Sequence, residues 1–127
     1  MRRTILFGVL GMVLTVAGCT GPSIVVTVPP SESAVTITAS SFEFDPDVFR
    51  VVGQGKRLTL VIENIASMEH NITVKSPAGE VLATQDLPAH ETVRVEVPLA
   101  QAGVYTFYCD KPLHSTFGMK GRLSVKK

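Results

Sequence analysis

The stretch Gly103-Val104-Tyr105-Thr106-Phe107-Tyr108-Cys109-Asp110-Lys111-Pro112-Leu113-His114-Ser115-Thr116-Phe117-Gly118-Met119 joins a strand-like half to a loop carrying metal-binding side chains. Successive side chains of a strand point to opposite faces, so Tyr105, Phe107 and Cys109 share one face. With the two aromatics directed into a core, the thiol is directed inward too. The second half spaces a thiol, an imidazole and a thioether five residues apart in turn, at Cys109, His114 and Met119. The two intervening segments let the chain turn back twice, so the three side chains can converge on one point. A soft thiolate, one or two imidazoles and a weak axial thioether suit a copper ion passing between its two oxidation states. A fourth ligand must come from elsewhere in the chain.

The same period of two recurs along residues 35–127. Val35, Ile37 and Ala39 alternate with polar neighbours, as do Phe42 and Phe44, Phe49 and Val51, Leu58, Leu60 and Ile62, and Val93, Val95 and Val97. Asp45-Pro46, Gly53-Gln54-Gly55, Pro88 and Pro98 punctuate these runs. Many short strands between turn residues predict an all-β, Greek-key β-sandwich of about seven or eight strands. The region 76–88 has room for at most a short helix or helical turn. His70 shares parity with Ile72 and Val74, which puts its imidazole on the core side. A buried imidazole without a partner is costly, and a metal would supply one.

Cys109, His114 and Met119, preceded by Gly103-Val104-Tyr105-Thr106-Phe107-Tyr108 and followed by Gly121-Arg122-Leu123-Ser124-Val125, resemble the C-terminal ligand loop of the plastocyanin/azurin-type blue-copper proteins, the cupredoxins. The resemblance spans about residues 35–127. It implies that the remaining ligand is an earlier His followed by Asn near the start of a strand, a description met by His70-Asn71. It further implies metal ligation by His70, Cys109, His114 and Met119. Asn71 would tie the two ligand loops together while a nearby backbone donor caps the thiolate. Pro112, Leu113 and Phe117 read as an apolar rim around an almost buried His114, and in this family such a rim is where redox partners dock. His90, in the turn Leu87-Pro88-Ala89-His90-Glu91, reads as a solvated surface residue. Zinc fits the donor set less well, since Met does not suit it. A binuclear copper centre would need a second Cys in the loop.

Met1-Arg2-Arg3 and the apolar run from Ile5 to Ala17 have the charged start and short hydrophobic core of an export signal, too short for a comfortable bilayer span. Val16-Ala17-Gly18-Cys19 resembles a bacterial lipoprotein processing box, which implies a signal peptide over residues 1–18 and a lipid on Cys19. Residues 19–34, with Pro22, Pro29 and Pro30, then read as an extended tether, although Ile24 to Val28 could instead form an edge strand. Lipidation of Cys19 would leave Cys109 a solitary thiol in an exported protein, an unusual choice unless a metal occupies it.

Removal of residues 1–18 leaves ten Lys/Arg against eleven Asp/Glu. The cations are dispersed along the sequence and there is no Trp, so nothing points to nucleic acid. No nucleophile comes with a sequence-defined base and orienter, which argues against an enzyme. The expectation is a monomeric blue-copper electron carrier, lipid-anchored on the outer side of the bacterial cytoplasmic membrane or in the periplasm. The resemblance implies partners such as a cytochrome or a terminal oxidase or reductase. Two alternatives are a copper carrier or sensor, and a metal-free adhesion or assembly domain.

Overall fold

The computed structural model describes residues 24–127. The expected signal peptide over residues 1–18 and the expected lipidation site Cys19 lie outside the described residues. Among the described residues there are ten strands: β1 (Val25–Val28), β2 (Ala34–Ser40), β3 (Glu43–Asp45), β4 (Val48–Val52), β5 (Arg57–Asn64), β6 (His70–Lys75), β7 (Val81–Leu87), β8 (Thr92–Pro98), β9 (Gly103–Tyr108) and β10 (Lys120–Lys126). They form a six-stranded sheet in the order β1-β4-β10-β9-β6-β7 and a four-stranded sheet in the order β3-β2-β5-β8. The pairs β1/β4, β4/β10 and β2/β5 are parallel, so the chain crosses between sheets in place of simple hairpins. This is the Greek-key sandwich that the alternation predicts.

Apolar side chains at every second position meet between the sheets. Leu58, Leu60 and Ile62 of β5 face Ile72 and Val74 of β6 and Tyr105 and Phe107 of β9 in one buried cluster. Burying each such side chain stabilises the fold by about 1.5–3 kcal/mol before entropy costs. Below the ligand loop, the Phe107 ring packs edge-on against Phe44 at 5.6 Å and tilted against Phe49 at 6.4 Å, joining β9 to β3 and β4. Gly121 of β10 is paired with Phe107 of β9, and a Cβ on it would overlap the Phe107 ring and the Asp47 carbonyl. The missing side chain is what lets the aromatic lie flat across the strand. The Tyr105 hydroxyl, at the inner end of the same face, donates to the Gln101 carbonyl at 2.8 Å and accepts from the Gln101 N–H.

Two expectations change. The segment Ile24 to Val28, expected as tether with an edge strand as the alternative, takes the alternative: Val25–Val28 pairs with β4 as an edge strand, so the sandwich starts ten residues before the expected boundary at residue 35. The reason is β-branched composition meeting a free edge: β4 already pairs with β10 on one side, and four consecutive β-formers complete the other. Pro29 ends the strand, where a missing N–H costs no ladder bond. The following turn is held by Lys56, whose Nζ donates to the carbonyls of Pro29 at 3.0 Å and Glu32 at 2.8 Å. The count of ten strands against seven or eight reflects β1 and β7, which the alternation did not mark. β7 occupies the region 76–88 as the second arm of a hairpin with β6.

Candidate metal centre

β6 and β9 are antiparallel neighbours, with Thr73 opposite Tyr108. His70 is the first residue of β6 and Cys109 immediately follows the last of β9, so the two meet at the same end of the sandwich. Both are fully buried, as the parity argument predicts. The ligand loop brings in the third side chain. Its backbone winds through bonds from His114 N–H to the Lys111 carbonyl, Phe117 N–H to Leu113 and Gly118 N–H to Ser115, and Gly118, at φ 106°, turns the chain back. Met119 N–H then donates to the His114 carbonyl at 3.0 Å, and Cys109 N–H donates to the Met119 carbonyl at 3.1 Å. The loop is thus closed on itself by backbone bonds linking Cys109, His114 and Met119.

The ligand atoms of His70, Cys109 and His114 lie within 4.8 Å of one another. His70 Nδ1 faces His114 Nδ1 at 3.0 Å, and Cys109 Sγ is 3.4 Å from His114 Nδ1. Metal–nitrogen and metal–sulfur bonds of about 2.0–2.3 Å put donors sharing a trigonal plane roughly 3.5 Å apart, close to these separations. Two imidazole nitrogens and a sulfur turned towards one another satisfy each other poorly and a soft cation well. The chemistry of the donor set therefore fits copper. Burial first, then the neighbouring His114 and, less, Lys111, push the His70 pKa below its ordinary value against the opposing pull of the Ser40 backbone, which favours the neutral ring that binds metal. His70 Nε2 makes no hydrogen bond among the described residues.

Asn71 spans the two ligand segments. Its backbone N–H points at Cys109 Sγ at 3.5 Å, its side-chain Oδ1 accepts from Asp110 N–H at 2.8 Å, and its Nδ2 reaches Thr73 Oγ1, which in turn donates to Asp110 Oδ2 at 3.4 Å. Lys111 adds a surface link between the same two loops, donating to Glu69 at 2.6 Å. Leu113 and Phe117 are largely exposed, and Pro112 is exposed beside them. His90 is an exposed turn residue at φ 61° and takes no part in the cluster. Met119 is fully buried whereas Met68 is partly exposed.

Two contributors escaped sequence reading. Phe42, assigned to strand alternation, sits in the turn between β2 and β3 at φ 64°, with its ring 4.7 Å from His114 and 5.4 Å from Phe117, both edge-on. It covers one side of the His114 imidazole from the opposite sheet. Asn64 ends β5 buried, donating through Nδ2 to the carbonyls of Met68, Leu87 and Pro88 and accepting from Ala66 N–H. It therefore shapes the loop leading into His70. Its signal was present: it shares the inward parity of Leu58, Leu60 and Ile62, and an amide on an apolar face needs internal partners.

The sequence model described as copper binding proteins, plastocyanin/azurin family, matches residues 31–126. Among solved structures, the chain is similar to dithionite-reduced auracyanin from the photosynthetic bacterium Roseiflexus castenholzii, with 18% identity, a TM-score of 0.67, and coverage of 76% of this chain and 98% of that one. It is similar to auracyanin B, at 20% identity and a TM-score of 0.64 over 74% of this chain and 88% of that one. It is also similar to auracyanin A, a "blue" copper protein from the green thermophilic photosynthetic bacterium Chloroflexus aurantiacus, at 26% identity and a TM-score of 0.59 over 73% and 99%. No curated protein sequence matches significantly. With the family match running through both strands and loops of the cluster, the chain belongs to the plastocyanin/azurin family of copper-binding proteins.

Proposed function

We propose that the chain is a mononuclear blue-copper electron carrier, with His70 Nδ1, His114 Nδ1 and Cys109 Sγ as strong ligands and the Met119 thioether as a weak fourth. The observation that carries this reading is the buried convergence of two imidazole nitrogens and one sulfur on a frame closed by backbone hydrogen bonds. Copper held there would supply one-electron chemistry between Cu(I) and Cu(II). The protein supplies the rest. The Asn71 N–H lowers the charge density on the thiolate, the Asn71–Asp110 bond holds the two ligand segments at a fixed distance, and Phe42 restrains the His114 ring. A frame that moves little when the charge changes favours rapid exchange of an electron. Burial of Met119, whose carbonyl is tied to Cys109 N–H, supports it over Met68 as the thioether donor.

A copper carrier or sensor would be served by an exposed, labile site, and full burial of Cys109 and His70 weighs against that reading. The charged start and short apolar run within residues 1–18, read as an export signal, support an exported protein, and a one-electron copper carrier would meet redox proteins such as a cytochrome or a terminal oxidase or reductase. Lipidation at Cys19 would hold it on the outer side of the bacterial cytoplasmic membrane or in the periplasm. The deciding experiment is a visible and electron-spin resonance spectrum of the copper-loaded protein with a reversible redox titration. An intense thiolate-to-copper band that bleaches on reduction and returns on oxidation is the expected result. Copper that binds without that band would overturn it.

A further inference from the structure

The outer face of the six-stranded sheet has a charge pattern that the linear sequence hides. Strands β1, β4, β10, β9 and β6 carry five cations, Arg50, Lys75, Lys120, Arg122 and Lys126, and no carboxylate; the exposed carboxylates of this face are Asp86 on the edge strand β7, opposite Asn71, and Asp110 just after β9, beside Thr73. All five alternate with buried residues and so point outward, four of them exposed and Lys75 half-buried over the Tyr108 ring at 5.3 Å. Arg122 and Lys75 flank Thr106 in one row across the sheet, and Lys120 lies beside Tyr108 in the row nearer the ligand loop. The other sheet is different: β3 carries Glu43 and Asp45, while β5 and β8 balance Arg57 and Arg94 with Glu63 and Glu96. A groove of about 570 Å³ opens on this face, and the residues lining it include the cations Lys120 and Arg122, one carboxylate, Asp47, and the hydroxyl-bearing Thr106, Ser115 and Thr116. Ser115 and Thr116 belong to the ligand loop, directly before the exposed Phe117.

We propose that this cationic face is a docking surface for a carboxylate-rich protein, whose Asp or Glu side chains enter the groove between Lys120 and Arg122 while its edge rests on Leu113 and Phe117. Identifying that protein as a redox partner rests on the electron-carrier reading; the binding itself does not. Charges of one sign on one face raise the encounter rate with an oppositely charged partner and orient it, an effect that fades with salt. A protein fits better than a lipid surface, because membrane-binding faces set bulky apolar side chains among their cations. Here the exposed apolar residues among the cations are three valines, Val25, Val81 and Val104, smaller than the Leu113 and Phe117 that lie beyond them on the loop.

The test uses the full chain with and without copper, and poly-L-glutamate as probe. Binding measured by amide chemical shifts should map to β9, β10 and the ligand loop and weaken between low and physiological salt. The Lys120→Glu/Arg122→Glu double variant should lose at least about tenfold in affinity, whereas Arg94→Glu on the other sheet should stay within about twofold. Equal affinity of the double variant and the unaltered chain overturns the proposal. So does preferential binding to phosphatidylglycerol vesicles over poly-L-glutamate, which would make the face a membrane contact. Because the metal-free chain is tested in parallel, failure of the copper spectrum would sink the electron-carrier reading while leaving the docking result intact.

Discussion

The side-chain oxygen of Asn71 accepts the backbone N–H of Asp110 at 2.8 Å, which ties the first strand turn after His70 to the residue following Cys109. One short bond therefore fixes the separation of two ligand segments 39 residues apart in sequence. It also aims the Asn71 N–H at the Cys109 sulfur. Replacing Asn71 by Leu leaves the Asp110 N–H without its acceptor, and we expect a loss of about 1–3 kcal/mol in stability. Copper affinity should fall about 10–100-fold, as it does when groups that orient ligands are removed. Chemical denaturation of the metal-free chain and competitive copper titration measure the two effects separately.

Cys109→Ser should abolish the intense visible absorption, since that band arises from charge transfer between thiolate sulfur and copper. His90→Ala should leave the spectrum unchanged, because His90 is exposed and outside the cluster. Full retention of the band in the Cys109 variant would refute the ligand assignment.

Met119 offers an ordered test. A neutral, soft thioether favours Cu(I) relative to an oxygen donor, and a dry, apolar position favours it further. Met119→Leu should keep copper and raise the reduction potential, and Met119→Gln should lower it. Voltammetry of the three proteins in one buffer checks the order; identical potentials would remove Met119 from the ligand set.

Gly121→Ala tests the packing beneath the site. The added methyl would overlap the Phe107 ring and the Asp47 carbonyl, and neither has room to retreat inside a paired sheet. Overpacking of this kind costs about 1–3 kcal/mol. A fall in the thermal midpoint is the expected reading, and no change would mean that Phe107 has another rotamer available. Asn64→Ala should destabilise by a comparable amount, since three carbonyls lose the donor they share.

Acid should act through His70. Burial lowers its folded-state pKa below the ordinary value of 6.5, so on acidification the unfolded chain takes up its proton first. Stability linked to this group is therefore fully present above pH 6.5 and is lost as the pH falls below it. The metal-free chain should show this decline in a denaturation series across that range, and His70→Phe should flatten it.

The alternation of Tyr105, Phe107 and Cys109, the parity of His70 with Ile72, and the even spacing of Cys109, His114 and Met119 were legible in the sequence because each depends on neighbours in the chain. A strand's period of two fixes which face a side chain takes whatever the strand later pairs with. From that alone an all-β sandwich follows, with His70 and Cys109 both inward. What local periodicity cannot carry is pairing and stacking. Val25–Val28 became a strand because β4 had a free edge, a fact settled by the position of β10 about a hundred residues later. Phe42 covers His114 across the gap between sheets, and the two are remote in sequence. The five cations of the outer face look dispersed along the chain. They gather only because the strand order β4-β10-β9-β6 lays distant segments side by side, about 4.8 Å apart.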